Sequence, residues 1–372
     1  MMKIVADDKI PYLAGVLEPY AEVVYLPGGK ISPADLKDAD ALITRTRTRC
    51  NRQLLETSSV KLVATATIGI DHINTAELDA LCIKYCNAPG CNAASVKNYI
   101  ASALAAQNRD LTGLTLGIIG VGHVGKLVAE VGSAMGMRVL LNDPPRAEVE
   151  GKNGFTELDE LLVNSDVVTM HVPLEHGGKY PTVNMADAAF FAKMKRGAYF
   201  FNSCRGEVMV KEAFLEARNS GKLAGALIDV WPDEPELDLR LVAAVEIGTP
   251  HIAGYSKEGK ANGTAASIRA VAEYFDLPAL KDFQLPEGTL PKPVFPEDIE
   301  IDGTLPLWQQ INRAVLHVYD VRNDAAALAA APEKFEELRG GYWNRREFSA
   351  FTVHGASAEA QRALAVLGFN IG

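Results

Sequence analysis

The chain has 372 residues, 48% of them hydrophobic and 23% charged, enough material for two or three globular domains with sizeable cores. A formal net charge of −10 disfavours nucleic acid and anionic membrane surfaces as partners. The cysteines (Cys50, Cys82, Cys86, Cys91, Cys204) contain no C-x-x-C pair, so they read as reduced cytosolic thiols, neither a disulfide framework nor a metal site.

The N-terminal residues Met2 to Ala6 read at once as a strand, with no leader-like apolar region before them, and no apolar run approaches a membrane span. A cytoplasmic enzyme or binding protein is therefore expected. Short apolar runs at 3–6, 22–26, 41–44, 62–64 and 83–86 alternate with helical stretches, which predicts a layered α/β domain around a parallel sheet. Asn92 to Arg109 is a long helical pattern with Asn92 as its cap. A second α/β unit follows, with strands at 116–119, 138–141, 167–169, 198–202, 226–228 and 246–247. Residues 258–275 are again helical and return the chain to the first domain. Two α/β domains joined by two helices make a clamshell with a cleft between them. Pro278, Pro286, Pro291, Pro293, Pro296 and Pro306 break up 277–306, which reads as an irregular linker. Helices at 307–321, 333–338 and 357–367, with strands at 349–353 and 368–371, complete a C-terminal piece. It is too small for a core of its own, so docking is expected.

The run Thr115 to Lys126 carries the most chemistry. A buried strand turns through Gly120-x-Gly122-x-x-Gly125 into a helix, and the next strand ends in Asp143. This is the dinucleotide-binding fingerprint in its full strand–turn–helix–strand context. The helix N-terminus suits a pyrophosphate, with His123 and Val124 in the turn. Asp143 would accept from the adenosine ribose hydroxyls and repel a 2′-phosphate, which selects NAD. Arg146 is the one nearby residue that suits NADP instead.

Three further strand ends aim reactive groups at one place: Arg205 in Asn202-Ser-Cys-Arg-Gly206, Glu234 in Asp229-Val-Trp-Pro-Asp-Glu234, and His251 in Thr249-Pro-His251. Oxidising a carbinol needs a base for the hydroxyl proton, a carboxylate to orient that base, and a cation for the developing carbonyl. The arginines of Arg45-Thr46-Arg47-Thr48-Arg49 share one face if that segment is extended. Arg45, with the Thr46 hydroxyl, is the expected phosphate site.

These motifs, with Ile68-Gly69-Ile70-Asp71-His72, resemble the D-2-hydroxyacid dehydrogenase family over residues 1 to about 276. The resemblance implies a Rossmann-like, doubly wound parallel-sheet NAD domain (92–255). It also implies a flavodoxin-like substrate (lid) domain, 1–91 plus 256–280, and a small α+β C-terminal piece (281–372). It casts Arg205, Glu234 and His251 as the catalytic set. The backbone N–H groups of Ile68, Gly69 and Ile70 become holders of the substrate carboxylate. Cofactor contacts are implied at Val172, Ser203, Cys204, Asp229 and Gly254, besides the glycine turn and Asp143.

Ala88 to Asn92, Asn142 to Arg146, His251 to Lys260 and His317 to Arg322 narrow the likeness to a subfamily. Its members act on a phosphorylated 2-hydroxy acid and dimerise through the C-terminal domain. That likeness adds Thr46, Thr67 and Tyr255 as substrate contacts and implies a homodimer. Position 46 is Thr where the subfamily has Ser, and Val172-Pro173 stands where Thr-Pro is usual. Arg345 and Arg346 read as surface-paired, the alternative being that they reach a neighbouring subunit's cleft. The competing readings are a phosphoglycerate- or hydroxypyruvate-type enzyme, or an NAD-sensing regulator on the same scaffold.

Overall fold

The computed structural model describes residues 2–343 and 345–372. It divides into two compact units, Met1–Asn92 with Ser256–Lys292, and Ala93–Tyr255 with Pro293–Gly372.

In the first unit, β1 (Lys3–Asp7), β2 (Glu22–Leu26), β3 (Ala41–Thr44), β4 (Leu62–Thr65) and β5 (Lys84–Cys86) pair in parallel in the order β2-β1-β3-β4-β5. β3 and β4 are buried along their whole length, which is why they read as unbroken apolar runs instead of alternating ones. One face packs Ile4, Ile43 and Leu62 against Ile268, Val271 and Ala272 of helix Lys257–Tyr274. The other packs Val5, Leu42 and Val63 against Leu36, Leu54, Leu55 and Leu78. Ser256 caps the long helix by accepting from the Gly259 N–H at 2.8 Å.

In the second unit, β6 (Thr115–Ile119), β7 (Arg138–Asn142), β8 (Val167–Met170), β9 (Ala198–Asn202), β10 (Leu223–Ile228) and β11 (Ile247–Gly248) form an all-parallel sheet in the order β11-β10-β9-β8-β6-β7. The chain runs from β6 outward to β7 and then crosses back to β8 on the other side. The carboxyl ends of β6 and β8 therefore flank a topological switch point, where open α/β sheets bind ligands. Helices Ala93–Ala105 and His123–Ala134 cover one face. A cluster of Phe190, Phe191, Phe200 and Phe214 lies under the other, with the Phe191 and Phe200 rings edge-on at 5.2 Å.

The C-terminal segment belongs to this second unit. Strands β12 (Asp298–Glu300), β13 (Thr352–His354) and β14 (Asn370–Ile371) make a small parallel sheet. Helix Leu307–Val318 sends Ile311, Ala314, Val315 and Val318 into the same core as Tyr99, Ile100, Ala103 and Leu104. This is the docking expected of a piece too small to stand alone.

Two sequence expectations change here. The helix expected over 307–321 breaks at Tyr319, whose backbone is extended (φ −151°, ψ 113°), and Asp320 caps a second helix, Val321–Ala330, by accepting from the Arg322 N–H. β12 lies inside the stretch read as irregular linker, where proline hides a three-residue strand with only one buried side chain, Ile299.

Candidate active site

Three loops leave the carboxyl ends of β9, β10 and β11 side by side and carry Arg205, Glu234 and His251. The first and second are locked together at Gly206. A Cβ there would collide with the backbone of Trp231 and Pro232, so only glycine lets the Arg205 loop lie on the Glu234 loop. Asn202 braces the turn from beneath. Its side-chain amide donates to the Arg205 carbonyl at 2.9 Å, and its side-chain oxygen accepts from the Cys204 N–H at 3.1 Å. The half-buried Arg205 guanidinium donates to the Cys204 carbonyl at 2.7 Å.

His251 Nδ1 and Glu234 Oε2 are 2.7 Å apart, and Glu234 Oε1 accepts from the Trp231 N–H at 2.8 Å. With Nδ1 engaged by the carboxylate, Nε2 is the nitrogen left to face a substrate. Burial pushes the Glu234 carboxyl up. The hydrogen bond and charge of His251, the Trp231 N–H and the charge of Arg339 outweigh it, so its pKa ends below the ordinary value. Glu234 is thus ionised near neutral pH.

His251 has a positive φ of 55°, a conformation that costs a non-glycine residue about 1 kcal/mol or more. Asp229 keeps it there. Its carbonyl accepts from the His251 N–H at 2.8 Å. Its carboxylate accepts from the Ile252 N–H (2.8 Å), the Ala253 N–H (2.9 Å) and the Thr249 hydroxyl (2.7 Å). Tyr99 extends this network to helix Ala93–Ala105 through a 2.6 Å bond to the same hydroxyl. Burial raises the Asp229 pKa, with the His251 charge and these donors opposing it. The acid expected to meet the cofactor is also the clamp of the His251 turn.

Farther along the same carboxyl edge of the sheet, Gly120 (φ +87°) makes the turn after β6, and a Cβ on it would come within 2.6 Å of the His171 carbonyl. At Gly125 a Cβ would collide with the Gly120 carbonyl, whereas at Gly122 it would meet open space. The turn therefore leaves a cradle at the N-terminus of helix His123–Ala134, with His123 exposed on its first turn. Asp143 holds the cradle by accepting from the Val121 N–H at 2.8 Å, and it also caps the next helix through the Arg146 N–H at 3.1 Å. Each of its oxygens keeps a second acceptor direction for a ribose hydroxyl. Arg146 pairs with Glu150 at 2.7 Å and lies over the Phe155 ring, which engages the cation that would favour a 2′-phosphate. The Ser203 hydroxyl is buried with no partner among the described residues, an orphaned polar group at the end of β9. Cradle, acid and orphaned hydroxyl fit a dinucleotide. Val172 and Gly254 lie half-buried on loops after β8 and β11, and Cys204 is buried.

In the first unit, the Thr67 hydroxyl donates to the Gly69 carbonyl at 2.9 Å and meets Thr65 Oγ1 at 2.8 Å. The Asn87 side chain donates to the Ile68 carbonyl at 2.7 Å. Thr67 thus shapes the loop bearing Gly69 and Ile70. The arginine run is not extended: residues 46–48 form a turn closed from the Thr48 N–H to the Arg45 carbonyl, and Thr48 is buried while Arg47 and Arg49 are exposed. The shared-face expectation fails because β3 ends at Thr44. Thr46 is exposed, and Arg45 makes a two-pronged ion pair with the buried Asp7, both contacts at 3.2 Å.

Sequence reasoning missed one arginine and misplaced another. Arg345 is not on the surface. It is fully buried, donates to the Ala253 carbonyl at 2.6 Å two residues after His251, and stacks 4.4 Å from the Tyr319 ring centre. Arg339, on helix Phe335–Gly340, lies beside Tyr255. Neither position has a strand-end motif to announce it.

The model of the D-isomer specific 2-hydroxyacid dehydrogenase NAD-binding domain matches residues 90–253. Residues 289–368 match a domain of unknown function, DUF3410. The erythronate-4-phosphate dehydrogenase of Bacteroides fragilis is 46% identical over 95% of this chain and 99% of its own. The enzyme of the same name from Escherichia coli O157:H7 is 40% identical over 99% of this chain and 98% of its own. The chain belongs to the erythronate-4-phosphate dehydrogenase family. Among solved structures, D-lactate dehydrogenase from Aquifex aeolicus with NAD and lactic acid superposes with a TM-score of 0.63 at 25% identity, covering 75% of this chain and 97% of that one. The chain is an NAD-dependent 2-hydroxyacid dehydrogenase, and its α/β architecture is that of the class.

Proposed function

We propose that this enzyme oxidises 4-phospho-D-erythronate to (R)-3-hydroxy-2-oxo-4-phosphobutanoate in the biosynthesis of pyridoxal 5′-phosphate. The observation that carries the reading is the His251–Glu234 pair at 2.7 Å, beside Arg205 on interlocked strand-end loops. NAD, when bound, accepts the hydride from C2. As the hydride leaves, the C2 hydroxyl proton passes to His251 Nε2, and C2 becomes a carbonyl. Glu234 fixes the tautomer that leaves Nε2 basic and stabilises the imidazolium that forms. Arg205 supplies its donor fork to the substrate carboxylate and to the developing carbonyl oxygen. Gly120, Gly122, His123, Val124, Gly125 and Asp143 hold the adenosine and pyrophosphate end. Val172, Ser203, Cys204, Asp229 and Gly254 serve the nicotinamide end. Arg45, Thr46, Thr67, Gly69, Ile70 and Tyr255 are assigned to the substrate.

The protein works in the cytoplasm as a homodimer through its C-terminal domain. Exposed Val294, Phe295 and Ile371 in that segment support an interface there. NADH formation with 4-phospho-D-erythronate, 3-phospho-D-glycerate and D-glycerate tests the reading. Turnover of the first alone supports it, and turnover of phosphoglycerate alone replaces the substrate while keeping the mechanism.

A further inference from the structure

Helix Phe335–Gly340 is anchored to the NAD-binding unit by Phe335, which is 1% exposed and packs in the core that contains Trp231, with Leu338 against the same cluster. That anchoring brings Arg339 to the catalytic loops. Its guanidinium carbon lies 5.9 Å from the centre of the Tyr255 ring, and the guanidinium hydrogen-bonds to the Tyr255 side chain. Tyr255 lies edge-on to Tyr342 with ring centres 6.1 Å apart. Arg339 Nε is buried with no partner among the described residues, in a protein whose net charge is −10. A buried, unsatisfied guanidinium N–H is costly unless something else accepts from it. Its charge also reaches Glu234. The arginine expected to take the substrate's phosphate, Arg45, is meanwhile engaged by Asp7.

We propose that Arg339, supplied by the C-terminal domain, is a substrate-binding residue whose guanidinium receives the phosphate of the substrate beside Tyr255. The proposal rests on the phosphorylated-substrate reading above. It gives the C-terminal domain a part in substrate selection. Consistent with that part, about three quarters of this chain already spans nearly the whole of the D-lactate enzyme, whereas the erythronate-4-phosphate enzymes match this chain end to end.

The test compares wild type, Arg339→Lys and Arg339→Ala with 4-phospho-D-erythronate and unphosphorylated D-erythronate, and titrates inorganic phosphate into the NAD-loaded protein. A lost charge-assisted contact predicts a KM for the phosphorylated substrate raised about 10- to 100-fold in Arg339→Ala, with partial recovery in Arg339→Lys. Activity on D-erythronate should change less than about threefold, and phosphate affinity should fall in step with the KM. Equal losses on both substrates, or a loss confined to kcat with a shifted pH profile, would overturn the proposal, the latter because Arg339 would then act only through Glu234. If Arg339→Ala does not melt as wild type does, Arg339→Gln and Arg339→Lys carry the comparison. If wild type ignores 4-phospho-D-erythronate yet binds phosphate in an Arg339-dependent way, the substrate reading fails and the phosphate site stands. Arg339-independent phosphate binding sinks the site itself.

Discussion

Replacing Glu234 with Gln keeps the shape of the site and removes its charge. The carboxylate now serves two donors, the Trp231 N–H at 2.8 Å and His251 Nδ1 at 2.7 Å. An amide has only one oxygen for both. Either it keeps Trp231 and turns its NH2 toward Nδ1, which forces the proton onto Nε2 and abolishes the base, or it turns to His251 and strands the Trp231 N–H. The side chains of Glu234 and His251 are 20% and 29% exposed, so the pair is worth more than a surface ion pair and less than a fully buried one. A charge-assisted bond of about 1.5–3 kcal/mol corresponds to roughly 10- to 100-fold in rate. The displaced donor adds about 1 kcal/mol, roughly another fivefold. Stopped-flow NADH fluorescence in both directions should therefore show oxidation slowed roughly 50- to 500-fold. Ketoacid reduction, which starts from the imidazolium, should lose more. NAD affinity should be unchanged. A variant within threefold of wild type, with the same pH profile, would refute the assignment of Glu234 as the partner of the base.

Asp229→Asn should lower stability by about 1–3 kcal/mol and kcat with it, because an amide nitrogen would face the Ala253 or Ile252 N–H and release the strained His251 turn; urea unfolding and single-turnover rates measure both. Arg345→Met strands the Ala253 carbonyl and should destabilise the fold by about 2–4 kcal/mol, seen as a lower melting temperature with weakened turnover. Burial lowers the His72 pKa to about 4, against an ordinary 6.5, so the unfolded chain binds more protons between those values. Stability should fall as pH drops through that window, by up to about 3 kcal/mol from this group, and His72→Gln should flatten the acid limb of the stability profile.

Much of the scaffold was legible because parallel strands buried on both faces read as short apolar runs with turn residues between them. β2, β3 and β9 fall on the residues expected, and the other strands, β12 apart, differ only at their ends. The glycine turn and the three strand-end motifs could be read in the sequence because each lies in the loop that follows a strand. Burial, by contrast, has no local signature in a charged side chain. Arg345 reads as a surface residue in Arg345-Arg346-Glu347 and is a buried clamp, since Tyr319 and backbone carbonyls distant in sequence solvate it. Arg339 stayed hidden for the same reason, its contacts being to Tyr255, far away along the chain. The arginine run misled because alternation implies one face only in extended backbone, and the strand stops at Thr44. The double duty of Asp229 needed the three-dimensional turn around His251 to become visible.

The most direct measurement is a single turnover of bound NAD with 4-phospho-D-erythronate, read as NADH fluorescence in wild type and in His251→Ala. The account predicts a fast signal in wild type, none with 3-phospho-D-glycerate, and a loss of about 100-fold or more in the variant, the usual range for removing a general base. A full-speed signal in His251→Ala would contradict it.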